Sequence, residues 1–137
     1  EGSHMKKESK RLPDAELAVM QALWSAKEPI TRPQLDQALA DRNWSVSTVV
    51  ALLSRLEDKG FLRHEKQGRG YLYIPVISRE QYLEAESKTL LGQLFGGSPS
   101  GFIAALYRGG ALTGEDIRKL RAQLDELESR EAPKREE

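Results

Sequence analysis

The chain has 137 residues, with 21 Lys plus Arg and 21 Asp plus Glu, so net charge alone gives no support for nucleic-acid binding, and any DNA contact depends on where the cations lie. Because the sequence contains no cysteine, disulfides, thiolate metal sites and cysteine nucleophiles are excluded. Hydrophobic residues make up 39% of the chain, which permits a buried core, but no apolar run reaches the roughly 18 residues of a membrane span, so we expect a cytoplasmic protein without membrane insertion.

The N-terminal residues 1–11 are interpreted as a cloning remnant followed by a mobile, basic lead-in. From Pro13 onward the pattern becomes helical, since Leu17, Met20 and Leu23 recur on one side at helical spacing. This predicts a first helix that packs one apolar face on a core.

A second helix is predicted from a capping box, Thr31-Arg32-Pro33-Gln34, in which the threonine side chain bonds forward and the glutamine reaches back. We expect this helix to run for about ten residues. A short polar turn at residues 41–43 then leads directly into a third helix. Two helices joined this tightly are typical of a helix-turn-helix.

The third helix is predicted between Ser45, a good N-cap, and Gly60, which suits a left-handed C-terminal stop. Its apolar stripe follows the i, i+3, i+4, i+7 spacing and consists of Val49, Leu52, Leu53 and Leu56. The opposite face has short side chains around one long cation, namely Ser47, Val50, Ala51, Ser54 and Arg55, with Thr48 and Lys59 on its flank. Because these side chains are short, a DNA backbone or base edge could come close to the helix. The alternative is an ordinary amphipathic helix with a solvated outer face.

After Gly60 the period changes from about 3.6 to 2, which is typical of strands. Residues 61–66 and 71–75 form two strand-like runs around Gln67-Gly68-Arg69-Gly70, and this arrangement predicts a β-hairpin with Arg69 at its tip. Three helices followed by a hairpin are the order of a winged helix. We therefore predict a winged-helix domain over residues 12–77.

A second, helical region is predicted over residues 78–127, and residues 128–137 are expected to form a frayed, charged tail. Three short helices have little core of their own, so their apolar faces need a partner surface. Homodimerisation is the favoured explanation, and packing against the first domain is the alternative. The predicted dimerisation residues are Leu91, Leu94, Phe95, Phe102, Ile103, Leu106, Ile117, Leu120, Leu124 and Leu127, the last four forming a coiled-coil-like seam.

No catalytic residue, cofactor or metal site is predicted. His64 is the only histidine outside the N-terminal remnant, and a lone strand histidine is far more often structural than a metal ligand. No pair of carboxylates is set apart by an apolar pocket, and Gly68 and Gly70 do not precede a helix, as a nucleotide-binding loop requires. The sequence therefore favours a binding protein over an enzyme.

The predicted DNA contacts fall on three elements of the winged helix. The third helix would enter the major groove, the start of the second helix would hold a phosphate, and the hairpin would reach the backbone or minor groove. The residues in question are Thr31, Arg32, Ser47, Thr48, Ala51, Ser54, Arg55, Lys66 and Arg69. The alternatives are a solvated Arg69 and a winged helix that binds protein without operator binding.

Together, these residues resemble the penicillinase-repressor family of BlaI and MecI, over roughly Leu12 to Leu127. The resemblance rests on Glu16, Val19, Met20, Leu23 and Trp24 in the first helix, on Trp44, Ser45, Thr48, Val49, Leu52, Leu53, Arg55, Leu56, Lys59 and Gly60 in the third, and on Gly68, Arg69, Tyr73 and Pro75 in the hairpin. It implies a winged-helix DNA-binding domain and a helical dimerisation domain. It also implies repression by a homodimer on double-stranded DNA, at a dyad-symmetric operator that often lies upstream of β-lactamase or sensor genes.

The chain departs from the family pattern at Ser47, where lysine is common, and at Val50, where a long polar residue is frequent, so its operator preference is expected to differ. In the antibiotic-responsive relatives, a membrane-sensor pathway leads a protease to cleave the dimerisation domain at an Asn-Phe bond. An alignment anchored on Leu112 places Ala105 and Leu106 at that bond, and this pair is the predicted position of any regulatory cleavage.

Overall fold

The computed structural model describes residues 11–136, with side chains described for residues 11–131, so the predicted lead-in lies outside the described residues apart from Arg11. The helices are α1 (Asp14–Ser25), α2 (Arg32–Ala38), α3 (Val46–Asp58), α4 (Arg79–Phe95), α5 (Pro99–Arg108) and α6 (Gly114–Glu136). The strands are β1 (Ile30–Thr31), β2 (Leu62–Gln67) and β3 (Gly70–Pro75), and a short 3₁₀ helix (Ala40–Arg42) lies between α2 and α3. The predicted fold class, mainly α with a small β-hairpin, is confirmed.

Helix α3 begins and ends where its sequence signals predict. The Ser45 side chain accepts a hydrogen bond from the Thr48 amide at 3.2 Å, which satisfies one of the free donors of the first turn. At the other end Gly60 has a φ of +84°, a conformation that costs glycine little and other residues more. The prediction of the third helix therefore has the correct bounds.

Helix α2 is shorter than predicted. It ends at Ala38, which is exposed, and the 3₁₀ helix completes the connection to α3. Asn43 then turns the chain with a φ of +58°, a left-handed conformation that asparagine tolerates better than most residues. The tight helix-turn-helix connection is thus made by a 3₁₀ helix and one left-handed residue.

The sheet has three antiparallel strands in the order β1-β3-β2, one strand more than the predicted hairpin. Ile30 in β1 pairs with Tyr73 in β3, and Tyr73 pairs in turn with His64 in β2. A strand of two residues is too short to show alternation, so sequence periodicity could not reveal β1. Its pairing places the start of α2 beside the hairpin.

One apolar core lies behind α3 and joins all three N-terminal helices to the sheet. Val19, Met20, Leu35 and Leu56 have no measurable exposure. The core cluster consists of Leu12, Val19, Met20, Leu23, Leu35, Leu39, Val49, Leu52, Leu53, Leu56, Phe61, Leu62 and Tyr82. Burying one leucine contributes about 1.5 to 3 kcal/mol, so the four apolar residues of α3 fix its orientation firmly.

The chain divides into two compact units, the first ending at Thr89 and the second starting at Leu90. This division falls inside α4, whereas the predicted boundary lay between residues 77 and 78. Tyr82 on the first turn of α4 is buried, and its hydroxyl accepts a hydrogen bond from the Leu12 amide at 3.0 Å. Burial raises the pKa of Tyr82 above its ordinary value. The start of α4 therefore packs with the winged helix.

The second unit contains the end of α4 together with α5 and α6. The Phe95 and Phe102 rings lie 5.2 Å apart between centroids, and the Ser98 hydroxyl caps α5 by accepting from the Gly101 amide at 3.0 Å. Thr113 caps α6, because its hydroxyl accepts from the Asp116 amide at 3.1 Å. The Thr113 amide donates to the Asp116 carboxylate in return, which holds the pKa of Asp116 below its ordinary value.

The prediction of a frayed tail from residue 128 is wrong in its conformation, because α6 continues to Glu136. Helical propensity explains the difference, since Glu, Arg, Lys and Ala make up most of residues 128–136 and favour the helix. Arg130 also pairs with Glu126 one turn earlier at 3.1 Å. A run without an apolar stripe can still be helical when its residues favour the helix locally.

Candidate nucleic-acid interface

The outer face of α3 is exposed as predicted. Ser47, Thr48, Ser54 and Arg55 are exposed and Ala51 is half-buried. Leu56, on the opposite side, is completely buried. The structure therefore presents this face to solvent while the core holds the helix from behind.

The first turn of α3 carries a cluster of three hydroxyl groups. The Ser45 hydroxyl lies 3.2 Å from the Ser47 hydroxyl and 2.9 Å from the Thr48 hydroxyl. Hydroxyl groups can both donate and accept, so this cluster can adapt to a phosphate oxygen or a base edge. Ser45 both caps the helix and belongs to this hydroxyl cluster, whereas the sequence predicted only its capping role.

Arg55 is the long cation of this face. Its side chain is exposed, and it makes no ion pair within the described residues 11–131. A guanidinium group has donors in a planar fork that fits a guanine edge or a phosphate. Its charge is therefore free of any carboxylate that a DNA contact would have to displace.

The start of α2 is more occupied than predicted. Thr31 and Gln34 form the predicted capping box, with the Thr31 amide donating to the Gln34 side chain at 2.8 Å. Arg32 is half-buried and donates to Asp36 at 2.9 Å. A phosphate at this position would have to compete with Asp36 for the Arg32 guanidinium group.

The hairpin carries the two predicted cations at and near its tip. Lys66 pairs in register with Tyr71, and its ammonium group lies 5.5 Å from the centre of the Tyr71 ring. Arg69 is exposed in the turn and makes no ion pair among residues 11–131. Gly68 has a φ of +60°, which allows the turn that presents Arg69.

A side-chain contact that sequence analysis missed joins the hairpin to α3. Nδ1 of His64 lies 2.7 Å from a carboxylate oxygen of Glu57, and the His64 ring meets the Tyr71 ring edge-on, with centroids 5.1 Å apart. The hydrogen bond links the hairpin to the last turn of α3, whereas the ring contact lies within the hairpin. His64 therefore makes structural contacts with both α3 and the neighbouring strand.

Lys59 does not belong to the outer flank of α3. It is half-buried, and its ammonium group donates to the carboxylate of Glu16 in α1 at 2.5 Å. Glu16 itself is only 4% exposed. The pair ties the end of α3 to α1, and no local sequence signal predicts a contact between residues so far apart in the chain.

The predicted dimerisation residues all lie in the second unit, and none of them is buried in the single chain. Leu94, Leu124 and Leu127 are 68%, 57% and 46% exposed. The half-buried members are Leu91, Phe95, Phe102, Ile103, Leu106, Ile117 and Leu120. No side chain of the second unit up to residue 131 falls in the buried class, so this unit has no closed core of its own.

Ala105 and Leu106 lie in the last turn of α5, and both are half-buried. The Ala105 carbonyl accepts from the Gly109 amide and the Leu106 carbonyl from the Ala111 amide, each at 2.9 Å. Their backbone is therefore held in a hydrogen-bonded helix end.

Within the part of the chain that the structure describes, no three His, Asp or Glu side chains are grouped so that they could hold a metal ion. No described helix has the length and apolar character that a membrane crossing requires. The candidate site is thus a protein surface of hydroxyl groups and cations on α3 and the hairpin.

The sequence model of the Penicillinase repressor family matches residues 12–126. The chain is 31% identical over 120 residues to the penicillinase repressor of Bacillus licheniformis, an alignment covering 88% of this chain and 94% of that protein. It is 32% identical over 118 residues to the transcriptional regulator BlaI of Mycobacterium tuberculosis, covering 84% and 86% of the two chains.

Among solved structures, the chain is similar to the monomeric form of Bacillus licheniformis BlaI in complex with the blaP half-operator. The sequence identity is 35% and the TM-score 0.46, with 54% of this chain and 90% of that chain covered. The family match spans most of the sequence and both compact units. The chain therefore belongs to the penicillinase repressor (BlaI/MecI) family, whose members are transcriptional repressors rather than enzymes.

Proposed function

We propose that the protein represses transcription as a homodimer that binds a dyad-symmetric DNA operator. The family supports the repressor function, and the outer face of α3 supports the mode of binding. The observation that carries the proposal is that Arg55 is exposed and unpaired within residues 11–131, in the middle of short side chains on a helix anchored from behind. Such a helix can enter the major groove and bring its side chains close to base edges.

The residues proposed to contact DNA are those predicted from the sequence, but the support for them is unequal. Ser47, Thr48, Ala51, Ser54 and Arg55 face the groove. Lys66 and Arg69 reach the backbone or minor groove from the hairpin, and Thr31 and Arg32 lie at a phosphate beside α2. Arg32 is the weakest of these candidates, because Asp36 already neutralises it at 2.9 Å.

The proposed target genes encode a β-lactamase or its sensor, because the Bacillus licheniformis relative is named a penicillinase repressor. The test is selection of bound duplexes from a random DNA pool, followed by binding measurements at two salt concentrations. A palindromic consensus with two half-sites separated by about one turn of DNA, or a multiple of it, is expected. Failure to enrich any sequence would favour the alternative, a winged helix that binds protein.

Replacing Arg55 by alanine is expected to weaken binding to the selected operator by about 1 to 3 kcal/mol if the guanidinium group reads a guanine. Fluorescence anisotropy with the operator and with a random duplex measures the effect. Equal weakening on both duplexes would identify a phosphate contact instead. Arg79→Ala, which removes an exposed arginine at the start of α4, is the control and should change neither affinity.

Replacing Arg69 by alanine is expected to lower affinity with little change in sequence preference, because a hairpin cation at the backbone neutralises phosphate. The slope of log affinity against log salt concentration should fall by about one unit. A salt titration of the operator complex provides the measurement. An unchanged slope would remove the hairpin tip from the interface.

Homodimerisation through the second unit is supported by its exposed apolar surface. A helical unit with no buried side chain among its described residues gains stability when a second copy covers its leucines. The seam of Ile117, Leu120, Leu124 and Leu127 recurs at spacings of three and four along α6, which is the pattern of paired helices. A twofold dimer would present two copies of α3 to the two halves of an operator.

Regulatory cleavage between Ala105 and Leu106 by a protease of a membrane-sensor pathway stays a prediction. Proteases act on locally opened backbone, whereas both residues lie inside α5. A cut there would require α5 to unfold first. Limited proteolysis of the dimer, with the fragment masses measured, would show whether this bond opens before the exposed glycines at 109 and 110.

A further inference from the structure

Two exposed valines on α3 are not explained by helix packing. Val46 is 72% exposed and Val50 is 50% exposed. Residues four apart lie on the same side of a helix, so the two isopropyl groups form one small apolar surface in the first two turns. Ser47 and Ser54, two of the proposed DNA contacts, neighbour Val50 at helical spacings of three and four.

Single exposed apolar residues are normal on protein surfaces, so exposure alone decides nothing. The position of these valines within α3 is more informative. The C-terminal end of the helix carries Glu57 and Asp58, whereas the first turn carries no acidic residue. Since the helix dipole also makes the N-terminal end the positive one, the end with Val46 and Val50 is the one that DNA attracts.

Valine offers a DNA base neither a hydrogen-bond donor nor an acceptor. In the major groove, the apolar group at a base edge is the C5-methyl group of thymine, and apolar side chains contact it there. We infer that Val46 and Val50 contact thymine methyl groups and so select A·T pairs at one or two positions of each half-site. This inference rests on the proposed function, because it assumes that α3 lies in the major groove of the operator.

Uracil substitution tests the inference directly. Uracil pairs with adenine and keeps the O4 acceptor of thymine but lacks the methyl group, so replacing single thymines of the selected operator removes only the apolar contact. For the unmodified protein, affinity is expected to fall about fourfold at each contacted thymine, the value of one buried methylene-sized group. Fluorescence anisotropy with a set of singly substituted duplexes measures this pattern.

Valine-to-alanine variants then assign the contact to a side chain. In Val50→Ala or Val46→Ala, replacing thymine by uracil is expected to cause no loss of affinity at one position. At the other contacted positions the loss should be the same as for the unmodified protein. Val76→Ala is the matched control, because Val76 is also 50% exposed in the first unit but follows β3, at the end of the hairpin away from its tip. The control should show the same uracil pattern as the unmodified protein.

The possible results distinguish failure of the methyl contact from failure of the proposed function. If the protein binds its selected operator but no thymine position responds to uracil, the methyl contact is overturned and the repressor function stands. The same holds if the uracil effect persists unchanged in both valine variants. If no duplex is bound more tightly than random DNA, the proposed function fails and takes the inference with it. Because both side chains are exposed, their removal leaves the core intact, and circular dichroism should match the unmodified protein.

Discussion

A Leu120→Glu variant is expected to be monomeric at micromolar concentration and to lose about 100- to 10,000-fold in affinity for the full operator. The loss follows from effective concentration, since in a dimer the binding of one half-site holds the second α3 near the other half-site. A carboxylate at the centre of the seam would be desolvated without a partner in the dimer, and one on each copy would repel the other. Sedimentation equilibrium and fluorescence anisotropy measure the two effects.

Two controls distinguish a lost dimer from a damaged fold. Ala122→Glu adds the same side chain to the opposite, exposed face of α6 and should remain dimeric. An isolated half-site should bind the Leu120→Glu monomer as tightly as it binds one arm of the unmodified protein, because the substitution lies outside the first unit. A Leu120→Glu protein that still sediments as a dimer would place the interface elsewhere than the seam of α6.

Helix α3 could be predicted well because its sequence signals are local. Ser45 and Gly60 each act within one turn of the helix ends, and the apolar stripe from Val49 to Leu56 is a strict periodicity. The outward direction of Ser54 and Arg55 follows from that stripe, since a helix buried on one side exposes the other. The structure agrees with all three of these predictions.

The contacts between distant elements could not be predicted in the same way. The pairing of Glu16 with Lys59 and that of Glu57 with His64 depend on how α1, α3 and β2 pack, and no helical or strand period relates these residues. The same limitation explains Tyr82, which looks like the start of a separate helical region but is buried against the winged helix. Local patterns give elements, whereas packing decides which of their polar side chains are free for DNA.

The Glu16–Lys59 pair is expected to stabilise the anchor of α3 by more than any exposed ion pair of the chain. The ammonium and carboxylate groups are 2.5 Å apart, and the Glu16 side chain is 5% exposed while that of Lys59 is 29% exposed. Removing the cation would leave a carboxylate with little access to water. A charge left unpaired in a buried position costs far more than the pair itself contributes.

Lys59→Met is therefore expected to lower the free energy of unfolding of the first unit by about 2 to 4 kcal/mol, since Lys59 is only partly buried. Urea denaturation followed by tryptophan fluorescence measures this unit alone, because the two tryptophans, Trp24 and Trp44, both belong to it. The double variant Glu16→Gln with Lys59→Met should recover much of the loss, because the carboxylate that was left unpaired is then absent.

Arg63→Met is the control that separates the effect of side-chain burial from the effect of the distance between the two charges. Arg63 and Glu65 are also 2.5 Å apart, but their side chains are 52% and 53% exposed. Breaking this pair should change the free energy of unfolding by less than about 1 kcal/mol, because solvent screens both charges. If Lys59→Met lowered the free energy of unfolding no more than Arg63→Met does, the Glu16 carboxylate would reach water in solution. The leucines of α3 would then hold the helix without help from the ion pair.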